Sequence, residues 1–302
     1  MAPDVRAAAG TDRNRTPDLP MSSIPSMQTD PPDASHAIDA ARPLRANDGD
    51  RVRARTAAGP QARIDAIIEA RLARLAAADA PALARHFARL DAEWGTGRAI
   101  GLEAALLGGA GLALGARRRP VLLVWPAAAV GGAVLVHAVR GPYPLLPWLR
   151  RLGVRSPHEI ERERWALLAL RRAGQAPAGA SSPRPGARLA ELAREWDAQR
   201  GAQALGATGV LAGLGLAALA RDRRWLALSA AGYVGLALQA AIASGGPLVA
   251  LARALGARPL RAIERERYAL KALRGDFDAI AGAGAPSPDA RARAAWRAIG
   301  ND

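Results

Sequence analysis

One stretch of the chain, Glu93 to Arg172, occurs a second time further along, and that recurrence restricts the fold more than any other feature. The first copy opens on Glu93-Trp94 and runs through an apolar segment to Arg117-Arg118-Arg119. A second apolar segment follows, Val121 to Val139. The copy closes on Leu152-Gly153, Arg155 and Glu161-Arg162-Glu163-Arg164-Trp165-Ala166-Leu167. The second copy opens on Glu195-Trp196 and turns at Arg221-Asp222-Arg223-Arg224. It closes on Leu255-Gly256, Arg258 and Glu264-Arg265-Glu266-Arg267-Tyr268-Ala269-Leu270. Each copy reads as one structural unit, a helical hairpin with matched ends.

The apolar segments are of bilayer length. Ala99 to Ala116 is eighteen residues with one charge, Glu103; at about 1.5 Å per residue it reaches roughly 27 Å. Val121 to Val139 is interrupted only by Pro126 and His137, and Gly201 to Ala220 and Trp225 to Ala243 carry no charge. Helices in soluble domains average about 11–12 residues. The expected fold class is therefore all-α and integral to a membrane, with two repeated transmembrane hairpins making four spans. A soluble all-α protein with long core helices is the competing reading. Half the residues are apolar but only 4% are aromatic, and such an Ala/Gly/Leu/Val mixture suits close helix–helix approach.

Net charge is +15, and 41 of the 42 basic residues are arginine. With four spans, 36 of those basic residues fall on one side and 6 in the two short turns. The excess places both termini in the cytoplasm of a bacterial inner membrane. A bilayer with anionic headgroups is the expected counter-charge. Nucleic acid is disfavoured, because no binding motif or interleaved aromatics accompany the arginines. A second copy of the chain or another membrane protein is the other candidate partner. The absence of cysteine removes thiol catalysis, thiolate metal sites and disulfides.

Composition divides the chain further. Residues 1–60 are rich in Pro, Asp, Ser and Thr without apolar periodicity and are expected to be disordered; Met21 and Met27 lie inside this segment as alternative starts to Met1. Residues 61–92 carry Ile64, Ile67, Ile68, Leu72 and Leu75, then Leu83, Phe87 and Leu90, at three- and four-residue steps broken by Ala80-Pro81. They read as amphipathic helices. Repeat 1 occupies 93–175, a Pro/Ala/Gly/Ser linker 176–188, repeat 2 189–277, and a tail with a short helix 278–302. Ser156-Pro157-His158-Glu159 reads as a capping box with Pro at the first helical position, and Ser287-Pro288-Asp289 as a second N-cap. Leu260, Ile263, Leu270, Leu273 and Phe277 make a helical stripe, while Glu161/Arg164 and Glu264/Arg267 stand at i, i+3 on one face.

These residues resemble a bacterial membrane-hairpin family. The Glu-Trp start, the Arg ahead of a Gly/Leu-rich hairpin, the basic turn and the Arg-Arg-Leu-Gly exit are similar to the membrane anchor of YgaP-type inner-membrane rhodaneses. The likeness covers about 93–174 and 195–277, without a rhodanese domain. It implies a membrane-hairpin fold and no activity. Family members commonly place a Cys-Pro after the second helix; here Pro144 and Pro247 remain, with Tyr143 and Gly246 in the cysteine's place.

Catalytic signals are absent from the sequence. The four histidines make no metal spacing, and no phosphate loop, carboxylate pair or Ser/His/Asp arrangement stands out, so the chain reads as neither an enzyme nor a cofactor protein. Gly97/Gly101, Gly111/Gly115 and Gly209/Gly213 carry the four-residue spacing that lets helix backbones approach. Counting from the turns, Glu103 lies at the depth of His137 and Gln203 at that of Gln239, so each pair is expected to clasp its own hairpin. The functional expectation is a membrane-anchored structural or interaction module, with a small-solute transporter or pore as the alternative.

Overall fold

The computed structural model describes residues 49–118, 124–172, 185–242, 245–277, 280 and 287–300. The expected disorder of 1–48, the core of the linker at 173–184 and the centre of the first turn at 119–123 lie outside them. All described residues belong to one compact unit, Pro43–Asp302.

The fold is all-α. Helices α1 (Arg51–Ala54), α2 (Ala58–Ala76) and α3 (Ala80–Ala92) lead into α4 (Thr96–Arg118) and α5 (Trp125–Arg140). After α6 (Leu146–Arg151) and α7 (Pro157–Arg172) come α8 (Pro185–Arg194), α9 (Ala198–Leu219), α10 (Leu226–Ala241), α11 (Pro247–Ala254) and α12 (Leu260–Arg274). Helix α13 (Pro288–Gly300) ends the described chain. The order α3 to α7 thus recurs as α8 to α12.

The ends of these helices follow the sequence. Asp79 caps α3 by accepting from Ala82 N at 2.8 Å, which fixes the break at Ala80-Pro81. The capping box forms reciprocally: Glu159 N donates to Ser156 Oγ at 3.0 Å and Ser156 N donates to Glu159 Oε2 at 2.9 Å. Ser287 Oγ accepts from Ala290 N at 3.1 Å and starts α13. At the second turn Arg221 takes a left-handed φ of 52°, and Asp222 Oδ1 accepts from Arg224 N at 2.9 Å.

Helices α4, α5, α9 and α10 form a four-helix bundle in cyclic order α4–α5–α9–α10. Its centre holds Ile100, Ala104, Val134, Ala207, Val210, Tyr233 and Leu236. Two stretches, within Ala80–Ala116 and at Ala198–Leu219, are long and apolar enough to cross a membrane by length and composition. Only 33% and 39% of their apolar windows is buried, whereas the core helix of a soluble bundle is mostly covered. Helices α5 and α10 have sixteen residues each, shorter than the runs Val121–Val139 and Trp225–Ala243. Pro126 sits at the start of α5, and Ile242 leaves the helical region with ψ 108°.

Helices α2, α3, α7, α12 and α13 build a second core over one end of the bundle, from Ile64, Ile68, Leu72, Leu167, Leu170, Tyr268, Trp296 and Ile299. Three expectations need correction here. Helix begins at Arg51, inside the segment expected to be disordered, because Asp50 is fully buried on Ser156 and Arg53 pairs with Asp65 at 2.7 Å. The short C-terminal helix α13 is not an appendage: Trp296 is 6% exposed and α13 packs on α2 and α7. On α12 the buried face is Ile263, Glu264, Arg267, Tyr268 and Lys271, while Leu273 is exposed; ion pairs rather than a leucine stripe seat this helix.

Candidate functional site

The matched ends of the two copies meet in space. Arg155 reaches Glu93 with Nε and Nη2, and Glu163 with Nη1. The Glu of the opening Glu-Trp, the Arg after Leu-Gly and the third residue of the Glu-Arg-Glu-Arg string are therefore one cluster. The second copy repeats it: Arg258 pairs with Glu195 at 3.3 Å and Glu266 at 2.8 Å. A further nitrogen side chain completes each, His86 on Glu163 at 2.9 Å and Arg188 on Glu266 at 2.8 Å, from matching places on α3 and α8. The first cluster is covered by α2, with Arg155 side chain 5% exposed and Glu163 0%; the second is partly open, with Arg258 37% exposed. Burial lowers the Arg155 pKa, but Glu93 and Glu163 outweigh it and hold the guanidinium charged.

Contacts across the two halves are reciprocal. Arg98 lies over the Trp94 ring and donates to Ala240 O at 2.8 Å, on the last turn of α10. Arg200 lies over Trp196 and donates to Ala138 O at 2.6 Å, on the last turn of α5. A cation at each helix C-terminus complements the negative end of its dipole. Likewise His158 Nδ1 meets Glu264 at 2.9 Å, and Arg261 at the matching position meets Glu161 at 3.2 Å. Both expected i, i+3 pairs form, Arg164–Glu161 at 3.5 Å and Arg267–Glu264 at 2.9 Å. Burial alone would lower the His158 pKa, but the Glu264 contact and the Asp50 charge raise it. Burial pushes Glu264 up, and His158 and Arg267 overcome this to bring it down to about 2.

A hub in the first half joins the bundle exit to the cap. Arg150, 1% exposed, donates bidentately to Glu159 at 2.8 and 2.7 Å, and also to Gln61 Oε1 and Thr56 Oγ1. Beside it, at the seam between bundle and cap, lies a cavity of about 90 Å³ lined by Asp50, Arg51, Thr96, His137, Asp197 and Arg200 among others. Gly141, at φ 94°, ends α5 and lets α1 pass close by: a Cβ there would stand 2.9 Å from Arg51 Cβ.

The expected polar clasps are replaced by other bonds. Glu103 accepts the hydroxyl of Tyr143, and His137 Nδ1 engages Gly141 O at 2.7 Å. Tyr143 thus comes between the two and packs edge-on against His137 at 5.7 Å. Gln203 Nε2 donates to Gly97 O at 3.1 Å and Gln239 Nε2 to Gln199 O at 3.1 Å. Both amides satisfy main-chain carbonyls instead of each other.

The six glycines separate in the same way. A Cβ on Gly213 would lie 2.4 Å from Ser229 Oγ and 2.6 Å from Ser229 N. On Gly97 it would meet Gln199 Nε2 at 3.0 Å, on Gly111 Ala127 N at 3.3 Å and on Gly101 Leu236 O at 3.4 Å. Gly209 faces open space, while Gly115 is buried. Sequence spacing missed three glycines at close crossings, Gly108 on α4, Gly131 on α5 and Gly232 on α10. A Cβ on Gly232 of α10 would stand 2.7 Å from Gly206 O of α9, one on Gly108 would overlap the Tyr233 ring, and one on Gly131 would lie 2.9 Å from Val210 Cγ1. The last two are matching crossings with the large and small partners exchanged, visible only once the helices are paired across halves.

Among the described residues no group of three His, Asp or Glu side chains is placed to hold a metal ion. Comparison with known protein families, with curated proteins and with solved structures finds no match to this chain.

Proposed function

We propose that the chain is a multi-pass membrane protein in which α4, α5, α9 and α10 all cross the bilayer, two hairpin repeats side by side. In this reading it is a non-enzymatic anchor that presents the helical cap as an interaction surface on the cytoplasmic side. The observation that carries it is the exterior of the bundle. Its exposed positions are residues such as Leu106, Leu107, Leu114, Val136, Leu219, Leu228, Val234 and Leu238, and no exposed position on these helices from Ala104 to Ala116, Trp125 to Val139, Ala202 to Leu219 or Leu226 to Ala241 is charged. A soluble bundle places charged side chains there. Arginines and Trp94, Trp196 and Trp225 gather at the bundle ends, as aromatic and basic residues do at membrane interfaces.

A soluble all-α protein is the second reading, and one observation favours it: α5 and α10, at sixteen residues, reach only about 24 Å, short of a hydrocarbon core of about 30 Å. The Glu103–Tyr143–His137 cluster is the feature a transport function would use, since ionisable groups inside a membrane bundle are costly to keep. Extraction at high pH decides between the first two readings: the four-span protein stays in the membrane pellet, and release into the supernatant refutes it. Reporter fusions after Arg119 and Arg224 then give a periplasmic signal, and fusions after Pro185 and Gly284 a cytoplasmic one.

A further inference from the structure

The seam cavity is where the two halves depart most from their reciprocity. Arg200 on the last turn of α5 matches Arg98 on the last turn of α10, but a second guanidinium joins only the first of these sites. Arg51 donates to Val139 O, and Arg200 Nη2 donates to the same oxygen at 3.3 Å. Two cations thus converge on one carbonyl, and neither forms an ion pair with a carboxylate among the described residues. Thr96 also has no hydroxyl at its matching position, which is Ala198. Its side chain is fully buried, its Oγ1 has no hydrogen-bond partner, and it lines the cavity. An unpaired buried hydroxyl is destabilising, and a bound acceptor removes that cost.

The acids in the wall are already engaged. Asp50 accepts from Ser156 Oγ and Arg53 N, Glu195 belongs to the Arg258 cluster, and Asp197 Oδ1 caps α9 through Gln199 N and Arg200 N at 2.9 and 3.0 Å. With the Asp50 charge facing His158 and Arg162, Asp197 set against Arg51 and Arg200 leaves one positive charge over. A cavity of about 90 Å³ has room for about six waters or one small oxyanion. Two guanidiniums and a hydroxyl donor make the donor set that recognises a tetrahedral oxyanion.

We propose that the seam cavity binds a phosphate-class oxyanion, held by Arg51, Arg200 and the Thr96 hydroxyl. The anion is either free phosphate or the phosphate of an anionic lipid headgroup; the lipid source rests on the membrane reading above, and the site itself does not. The full chain is purified in neutral detergent, and its melting temperature is followed against inorganic phosphate, with chloride at equal ionic strength as reference. A saturable rise with phosphate is expected. Thr96→Val, which removes no existing hydrogen bond, and Arg51→Gln each weaken the half-saturating concentration by about tenfold or more. Arg98→Gln, at the matching site that lacks the second arginine and the hydroxyl, leaves it unchanged. Vesicles of phosphatidylglycerol and of phosphatidylcholine form the second arm, read as lipid retained per chain by native mass spectrometry. Retention of phosphatidylglycerol that Thr96→Val abolishes assigns the site to a headgroup; a phosphate shift without retention assigns it to the free ion. Absence of both, or effects that survive in Thr96→Val and Arg51→Gln, overturns the proposal. Should high-pH extraction release the chain, the phosphate arm still decides the site.

Discussion

Gly209 and Gly213 share one spacing motif on one helix, yet their surroundings call for opposite responses to the same substitution. An alanine Cβ at Gly213 would stand 2.6 Å from Ser229 N, 2.8 Å from Trp225 O and 2.4 Å from Ser229 Oγ. The nearest main-chain contact is about 0.8 Å inside ordinary separation, and main chain cannot swing aside as a side-chain tip can. Helix α10 must therefore move away from α9. The 2.8 Å bond from Ser229 Oγ to Val210 O is lost in the same displacement. Overpacking of this kind costs about 1–3 kcal/mol and the buried hydrogen bond about 1 more, so Gly213→Ala should lose about 2–4 kcal/mol. Gly209→Ala meets nothing within 4 Å and should gain up to about 1 kcal/mol from helix propensity. Gly111, whose Cβ would touch Ala127 N at 3.3 Å, should fall between, at about 1 kcal/mol lost. The assay is reversible unfolding of the three variants in mixed micelles. Equal stabilities, or a Gly209 variant as damaged as the Gly213 variant, would refute the reasoning from backbone proximity.

Three further outcomes follow from the ion pairs. Arg155→Ala takes the guanidinium from the buried Glu163 and the partly exposed Glu93 and should cost about 3 kcal/mol, whereas Arg258→Ala in the open counterpart should cost under about 1 kcal/mol; denaturant midpoints that do not separate the two would contradict the burial difference. The folded pKa of His158 lies above its ordinary 6.5. Its contribution is thus complete below about pH 6.5 and disappears as pH rises through the raised value. Melting temperatures measured between pH 6 and 9 should fall with pH, and His158→Gln should flatten that slope. Glu264, held down to about 2, contributes above about pH 4.5 and loses that contribution as pH drops toward 2; Glu264→Gln should therefore remove part of the acid sensitivity seen in unfolding between those values.

Much of the scaffold could be read from residues alone, because local signals and tertiary structure agree there. The breaks at Ala80-Pro81, the capping box at Ser156 and the N-cap at Ser287 all depend on side chains within three residues of the helix they start. Ile64, Ile68 and Leu72 are buried as their spacing requires, although Ile67 is 51% exposed. The candidate site was less legible. Depth counting compares Glu103 with His137 alone and has no information on a third side chain arriving from the exit loop, which is how Tyr143 takes the Glu103 bond. The same holds for Arg51, four residues of helix in a segment whose composition resembles disorder. It is seated by Gly141, and only the left-handed turn at that glycine opens the space. Four-residue glycine spacing likewise says that one helix face is thin, not which neighbour fills it.

Lys271 is the sole lysine, and it is 1% exposed with Nζ donating to Ile299 O at 2.8 Å. The amine sits beneath the C-terminal turn of α13, so in the folded state the chain's only side-chain primary amine is sealed by its last helix. Amine-directed reagents will therefore find the α-amino group and little else until α13 lifts from α12. The extent of acylation at this one residue becomes a chemical gauge of whether the C-terminal helix is docked, readable by mass without any engineered probe.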